Sequence, residues 1–265
     1  MFEPIDKLRD ICQKKDYKKT GNMMARFVTR DMALYITRLL IPTGITANQV
    51  VFITIMLGVI SAVCFAFGSV FMTLAGAFFF QLWYLSDHID GQIARYRKVS
   101  SLTGVFYDFY AHYIVHFLVL GGLAVGLYIR HVDLRFLILG LTACFSMNMV
   151  SVINDCIYKA FYNGLSNERM DIVFKAGAKT EEKKAEQRPL PKKIFVFMHK
   201  LTEIHVVMNM VTVAAILDFF FKTDLILFEV FILAVAATVV WIFKLVHIVN
   251  GREVDRKYSE LFRGR

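Results

Sequence analysis

Proline is scarce in this sequence, four among 265 residues, and no internal repeat of fixed period or second soluble domain can be made out, which excludes the repeat architectures. Cysteine is scarce too. Cys12, Cys64, Cys144 and Cys156 show no paired spacing, and three of them fall inside apolar runs, so neither a disulfide framework nor a zinc site is indicated. A cleavable signal peptide is also missing, because the first 49 residues are polar and basic and the first long apolar run follows them. The chain is therefore expected to insert through its own first helix.

What the chain has in excess is apolar surface. It is 57% hydrophobic, with a mean hydropathy of +0.51, a composition foreign to soluble globular domains. A helix needs about 20 largely apolar residues to cross roughly 30 Å of hydrocarbon. Six runs of that kind occur: Val50 to Phe67, Val70 to Ser86, Val105 to Ile129, Leu134 to Tyr158, Ile204 to Phe221 and Leu225 to Val249. Three links between them are very short, around Gly68 to Ser69, Arg130 to Asp133 and Lys222 to Asp224, which favours antiparallel neighbours in a compact bundle. The expected fold is all-α: a polytopic membrane protein of six transmembrane helices.

Of the 31 Lys and Arg, only Arg130, Arg135 and Lys222 lie in or beside the short links. Basic residues in short loops are retained on the cytoplasmic side, so both termini, the segment Asp87 to Gly104 and the segment Lys159 to His199 are expected to be cytoplasmic. The net charge of +9 then reads as topology and attraction to anionic lipid, and no nucleic-acid partner is expected.

The expected organisation has three parts. Residues 1–49 form a cytoplasmic N-terminal segment, in which Asn22 to Ile41 alternates apolar positions such as Phe27, Val28 and Leu34 with Arg26, Arg30 and Arg38. That pattern predicts an amphipathic helix in the headgroup layer or packed on the bundle's end. Pro42 and Gly44 end it, and Thr46 caps the helix that follows. Residues 50–249 form the six-helix catalytic domain, with a cytoplasmic loop over about 159–203 that includes a solvated, mixed-charge stretch from Lys175 to Lys193. Residues 250–265 form a short basic tail.

The chemistry is concentrated between the second and third runs. Asp87, Asp90, Gly91, Ala94 and Arg95 fall at i, i+3, i+4, i+7 and i+8, one face of a helix. Gly104, Asp108, His112 and His116 recur every fourth residue and make a second single face. Two adjacent helices can thus aim carboxylates and an imidazole at a common centre. Carboxylates near hydrocarbon are costly, and a hard divalent cation, Mg²⁺ or Mn²⁺, compensates them and bridges to substrate phosphates. Gly91, Ala94 and Gly104 leave helix surface bare for a flat group, and Arg95 offers a fork for phosphate or ribose oxygens. The set suits a nucleotide diphosphate.

These residues resemble the CDP-alcohol phosphotransferases, whose pattern is D-x2-D-G-x2-A-R-x8-G-x3-D-x3-D. Every fixed position from Asp87 through Asp108 matches, and His112 stands where the family has its last aspartate. The start of the first span at Thr46 and Asn48 is similar to the family's as well. The resemblance implies that Asp87, Asp90 and Asp108 hold metal, with Asp87 also on the nucleotide side, and His112, whose imidazole can ligate metal, is expected to join them. It implies that Gly91, Ala94, Gly104 and Arg95 accommodate the cytidine nucleotide. It further implies a CDP-alcohol donor, either CDP-diacylglycerol-like or a CDP-head group, a small polar or lipid hydroxyl acceptor, release of CMP, and a homodimer among membrane lipids.

In the family the last aspartate is the proposed general base. His112 admits three readings: an imidazole base that also ligates metal, a site with one ion or a softer one, or a non-catalytic protein that binds nucleotide or lipid. The persistence of the other motif residues favours the first. A transporter is disfavoured by unbroken spans without paired half-helices. His116 is either an orienting partner of His112 or a buried histidine satisfied by backbone. Asn148, Asn154, Asp155, His205, Asn209, Lys244 and His247 are polar residues inside later spans, candidates for a cavity or for interhelical hydrogen bonds. Lys159, Lys200 and Lys244 sit near cytoplasmic helix ends, where they can serve a phosphorylated acceptor, although topology and snorkelling alone account for lysines there.

Overall fold

The computed structural model describes residues 3–13, 17–18, 22–99, 101–166 and 190–262. Its long helices are α3 (Ala47–Ala66), α4 (Val70–Arg97), α5 (Leu102–His131), α6 (Leu134–Ser166), α8 (Ile204–Phe221) and α9 (Leu225–Asn250). Shorter ones are α1 (Ile5–Cys12), α2 (Arg30–Leu40), α7 (Leu190–Leu201) and α10 (Glu253–Phe262). Five helices are long and apolar enough to cross a membrane: α3, α5, the stretch Leu134–Gly164 of α6, α8 and α9. α4 falls outside that set, because Gln81, Trp83 and Tyr84 dilute its apolar run and a polar, charged end follows Ser86.

The long helices close a ring. α3 packs on α4 and α5, α5 on α6, α6 on α9, α9 on α8, and α8 returns to α4. Phe80, Trp83, Val115, Val119, Met208, Val211 and Ala237 fill the centre. On the side of α5 that meets α3, small residues let the backbones touch: a Cβ on Gly126 would lie 2.0 Å from the Phe65 carbonyl oxygen, so only glycine fits. Left-handed residues stop three helices, Lys98 after α4, Val132 after α5 and Lys222 after α8. The short links are tied to one another by Arg130. Its Nε donates to the Gly68 carbonyl at 2.8 Å, Nη2 to Thr73 at 2.8 Å and Nη1 to Asp224 at 3.2 Å.

The Thr46 cap is as expected from the sequence. Its hydroxyl accepts from Gln49 N at 3.3 Å, and Gln49 Oε1 accepts from Thr46 N at 2.9 Å, a reciprocal capping box. Ahead of it, a π-helical turn (Ala25–Thr29) runs into α2. One face of α2 is buried on α4, with Ala33 against Ile89 and Ile93 and Thr37 donating to Gln92 at 2.7 Å. Met23, Phe27, Tyr35 and Leu39 on the other side are more than half exposed.

Two segments depart from the sequence reading. The first residues, read as plain polar chain, include α1, whose Leu8 and Cys12 bury against Leu34 and Tyr96. The loop expected over 159–203 is shortened from both ends, since α6 continues to Ser166 and α7 begins at Leu190. The cause is apolar: Phe195 on α7 packs against Phe243 with ring centroids 4.6 Å apart. The mixed-charge stretch Lys175 to Lys193 lies outside the described residues up to 189, and its last four residues begin α7. The tail contains α10, anchored by the buried Tyr258 against Phe161.

Candidate active site

α4 and α5 carry every residue of the motif, α4 from Asp87 to Arg95 and α5 from Gly104 to His112. The turn between them is set by Lys98 in the left-handed region and by Ser101, whose hydroxyl accepts from Gly104 N at 3.0 Å and starts α5. The two single-face patterns therefore meet. Asp87, Asp108 and His112 each offer a ligand atom, all within 4.8 Å of one another. His112 Nε2 lies 2.9 Å from Asp87 Oδ1 and 3.6 Å from Asp108 Oδ1. Trp83 backs the imidazole edge-on, with centroids 5.7 Å apart.

Asp90 is not part of that cluster but faces the same space. It lines a cavity of about 410 Å³ together with Gly91, Ala94, Gly104 and Asp108, four more of the residues singled out by spacing. A Cβ on Gly104 would come within 3.2 Å of Ser101 Oγ, the cap that starts α5. Arg95 lies apart from them. Its Nε donates to the Cys12 carbonyl at the end of α1, and its Nη1 rests 3.2 Å from where a Gly91 Cβ would stand. Gly91 thereby makes room for the guanidinium.

The charges are badly matched without a cation. Burial pushes the Asp90 carboxyl up to about 7, and the neighbouring Asp87 and Asp108 add to the shift. For Asp87 burial acts in the same direction, but hydrogen bonds with His112 and His88 outweigh it and hold that carboxyl below its ordinary range. Three crowded carboxylates and one imidazole are a donor set suited to a hard divalent ion.

A family model for the CDP-alcohol phosphatidyltransferases matches residues 24–176, more than half of the chain and the whole of this site. The chain belongs to that family. It is a CDP-alcohol phosphotransferase, an enzyme of phospholipid biosynthesis. No curated protein matches its sequence. Two structures of Mycobacterium tuberculosis phosphatidylinositol phosphate synthase (PgsA1), one with CDP-DAG bound and one in complex with manganese and citrate, are similar to it in fold. Each is 20% identical with a TM-score of 0.55, covering 82% of this chain and 92% or 88% of its own.

Some residues of the transferase's site escaped the sequence reading. His88, next to Asp87 on α4, has its Nδ1 3.4 Å from Asp87 Oδ2, so Asp87 stands between two imidazoles. Asn48, Ser101 and Arg97 join the cavity wall. Ser101 was findable as a helix cap three residues before Gly104, and Asn48 stood in the family-like start of the first span without being tied to the site, whereas Arg97 gave no signal. Of the polar residues in later spans, Asn148, Asn154 and His205 line a second cavity with His116. The others serve elsewhere: Asn209 accepts from Gln81 at 3.1 Å, Asp155 accepts from Tyr113, and His247 approaches Glu253 at 3.8 Å. Lys159 and Lys200 are exposed, and Lys244 donates to Asn154 at 2.7 Å.

Proposed function

We propose that the transferase moves a phosphatidyl-type group from a CDP-diacylglycerol-like donor to a hydroxyl acceptor, with His112 as the base. The observation that carries this is the Asp87, Asp108 and His112 cluster at the edge of a cavity walled by Asp90, Gly91, Ala94 and Gly104. Asp87 and Asp108 would hold Mg²⁺ or Mn²⁺, with Asp90 on the cavity side, and His112 would keep its Nε2 lone pair for the proton. When bound, that ion supplies charge stabilisation for the pyrophosphate and the departing phosphate. Gly91, Ala94 and Gly104 give the cytidine room, and Arg95 secures the α4 end of the nucleotide site through its anchor on α1.

The acceptor oxygen bonds to the phosphorus that carries the donor's alcohol, and the bridging P–O bond to CMP breaks. His112 takes the hydroxyl proton at Nε2, and Asp87 and Asp108, at 2.9 and 3.6 Å, stabilise the imidazolium. No covalent enzyme intermediate is needed.

The reading includes a membrane placement. Residues 50–249 form the catalytic domain, with α4 as a sixth span beside the five apolar helices. α2 and the turn before it lie at the interface, where the exposed Phe27, Tyr35 and Leu39 meet lipid. The site, the N-terminal segment and the basic tail are cytoplasmic, and the enzyme works as a homodimer. Distribution of Lys and Arg supports the orientation, and the family supports the dimer.

The test is CMP release by the purified protein in Mg²⁺ or Mn²⁺ from CDP-lipids and CDP-head groups, with polar and lipid acceptors. We expect turnover from a CDP-lipid, lost by about a hundredfold or more in His112→Ala and largely kept in His112→Asp. Activity that appears only in His112→Asp would show that the native histidine has silenced the chemistry.

A further inference from the structure

One cavity borders the cluster at Asp108, and a second lies beyond it at His116. The one lined by Asp90 and Asp108 is described above. The other, of about 340 Å³, lies one helical turn beyond His112 and is lined by His116, Asn148, Ser151 and Asn154, with His199, Thr202, Glu203 and His205 across from them. His112 and His116 are in contact, ring centroids 5.7 Å apart, and Trp83 packs on both. In phosphoryl transfer the attacking and leaving oxygens lie roughly in line across phosphorus. A nucleotide on the Asp90 side therefore leaves the His116 side for the attacking alcohol.

The walls of this second cavity have a definite chemistry. Among the described residues lining it there is no Lys or Arg, and Glu203 is its one acid. Glu203 is already engaged, with Oε2 3.2 Å from His205 Nε2. The Lys244 ammonium donates to Asn154 Oδ1 at 2.7 Å and lies 3.3 Å from His199 Nε2, so it is held between two residues of the wall. What faces the space is a set of neutral hydrogen-bonding groups: two amides, two hydroxyls and imidazoles. His116 Nε2 is buried without a hydrogen-bond partner among the described residues, and a buried polar atom left so calls for a ligand group or water.

We propose that this cavity is the acceptor site and that it selects an uncharged polyhydroxylated alcohol, in preference to a phosphorylated or amino alcohol. The inference rests on the transferase reading of the neighbouring cluster. Several hydroxyls can bond to Asn148, Ser151, Asn154 and His116 at once, which orients one of them toward His112. A phosphate ester would bring its charge against Glu203, and among the described residues no Lys or Arg lines the cavity to receive it. An amine would find that carboxylate occupied. Sites built to bond hydroxyls discriminate strongly against analogues that leave those groups unpaired.

The experiment uses full-length protein in Mn²⁺ with CDP-diacylglycerol as donor. Glycerol and inositol are compared with their monophosphates and with serine and ethanolamine as acceptors. Expected is CMP release at least about tenfold faster with the neutral polyols. Asn154→Leu and Ser151→Ala should each raise the polyol KM about tenfold or more with the donor KM unchanged. Thermal stabilisation by CMP with Mn²⁺ confirms that each variant is folded. Preference for a monophosphate or an amino alcohol overturns the inference, as does an unchanged polyol KM in both variants. Equilibrium binding of labelled inositol in the presence of CMP and Mn²⁺ separates the two levels. Saturable binding lost in Asn154→Leu without any CMP release would sink the transferase reading and keep this cavity as a polyol site. CMP release with no polyol binding would do the reverse.

Discussion

Asp87 is the residue on which the site turns. Its carboxylate touches His112 at 2.9 Å and His88 at 3.4 Å and shares the cluster with Asp108. Replacing it with asparagine removes an anionic ligand and both charge-assisted contacts. Asp87→Asn is expected to weaken Mn²⁺ binding about tenfold to a hundredfold, read by the paramagnetic signal of free Mn²⁺ in a titration. His88→Ala removes only the flanking contact and is expected to weaken it less. Equal affinity in wild type and Asp87→Asn would move the ion away from this cluster. The sequence made Asp87, Asp90 and Asp108 legible because helical spacing alone puts them on facing surfaces. It left His88 unread because an adjacent residue on a helix points elsewhere by periodicity, and only the bend of the side chains brings its Nδ1 to Asp87.

At the scale of elements, the site depends on how closely α3, α4 and α5 approach. Gly126 sits where a Cβ would be 2.0 Å from the Phe65 carbonyl oxygen and 3.4 Å from Gly68 Cα. The obstacle is backbone, so neither helix can yield by a rotamer change. Gly126→Ala is expected to destabilise the bundle by about 1–3 kcal/mol, seen as a lower Tm in detergent. Gly121, where a Cβ meets nothing within 4 Å, serves as the control, and Gly121→Ala should leave Tm nearly unchanged. An unaltered Tm in Gly126→Ala would mean that α3 and α5 are farther apart than described. The apolar runs made these helices readable, yet their ends were not. α4 runs through Asp87 to Arg97 without a break and α6 reaches Ser166, since a helix continues past the apolar stretch wherever its next turn finds a neighbour to pack on.

For the whole molecule the open quantity is orientation. If basic residues mark the cytoplasmic side, Lys222 in the α8–α9 link and Lys200 at the end of α7 lie on opposite faces. Single cysteines at these positions, in a background with the native four cysteines replaced, should be labelled from opposite sides by a membrane-impermeant thiol reagent in intact cells. Lys200→Cys is expected to react only after permeabilisation, and Lys222→Cys before it. Labelling of both from one side would mean that α8 does not span. The tie from Arg130 to Gly68, Thr73 and Asp224 joins three links that this placement puts on the outer face, which accounts for an arginine on the side where basic residues are few.

By itself the sequence determined the class of the molecule and the identity of its chemistry. Apolar runs of membrane length dictate helices, since only internal hydrogen bonding satisfies the backbone in hydrocarbon, and fixed spacing on two helix faces dictates which carboxylates can converge. The tertiary structure decided what those faces meet. It drew Arg95 onto the Cys12 carbonyl of α1, a contact across 83 positions that no local pattern encodes. It placed His116 at the wall of a second cavity rather than against a backbone carbonyl. It also turned scattered polar residues of α6, α7 and α8 into one lining. Periodicity fixes a residue's face on its own helix, but the neighbour across that face is set by packing of the whole ring.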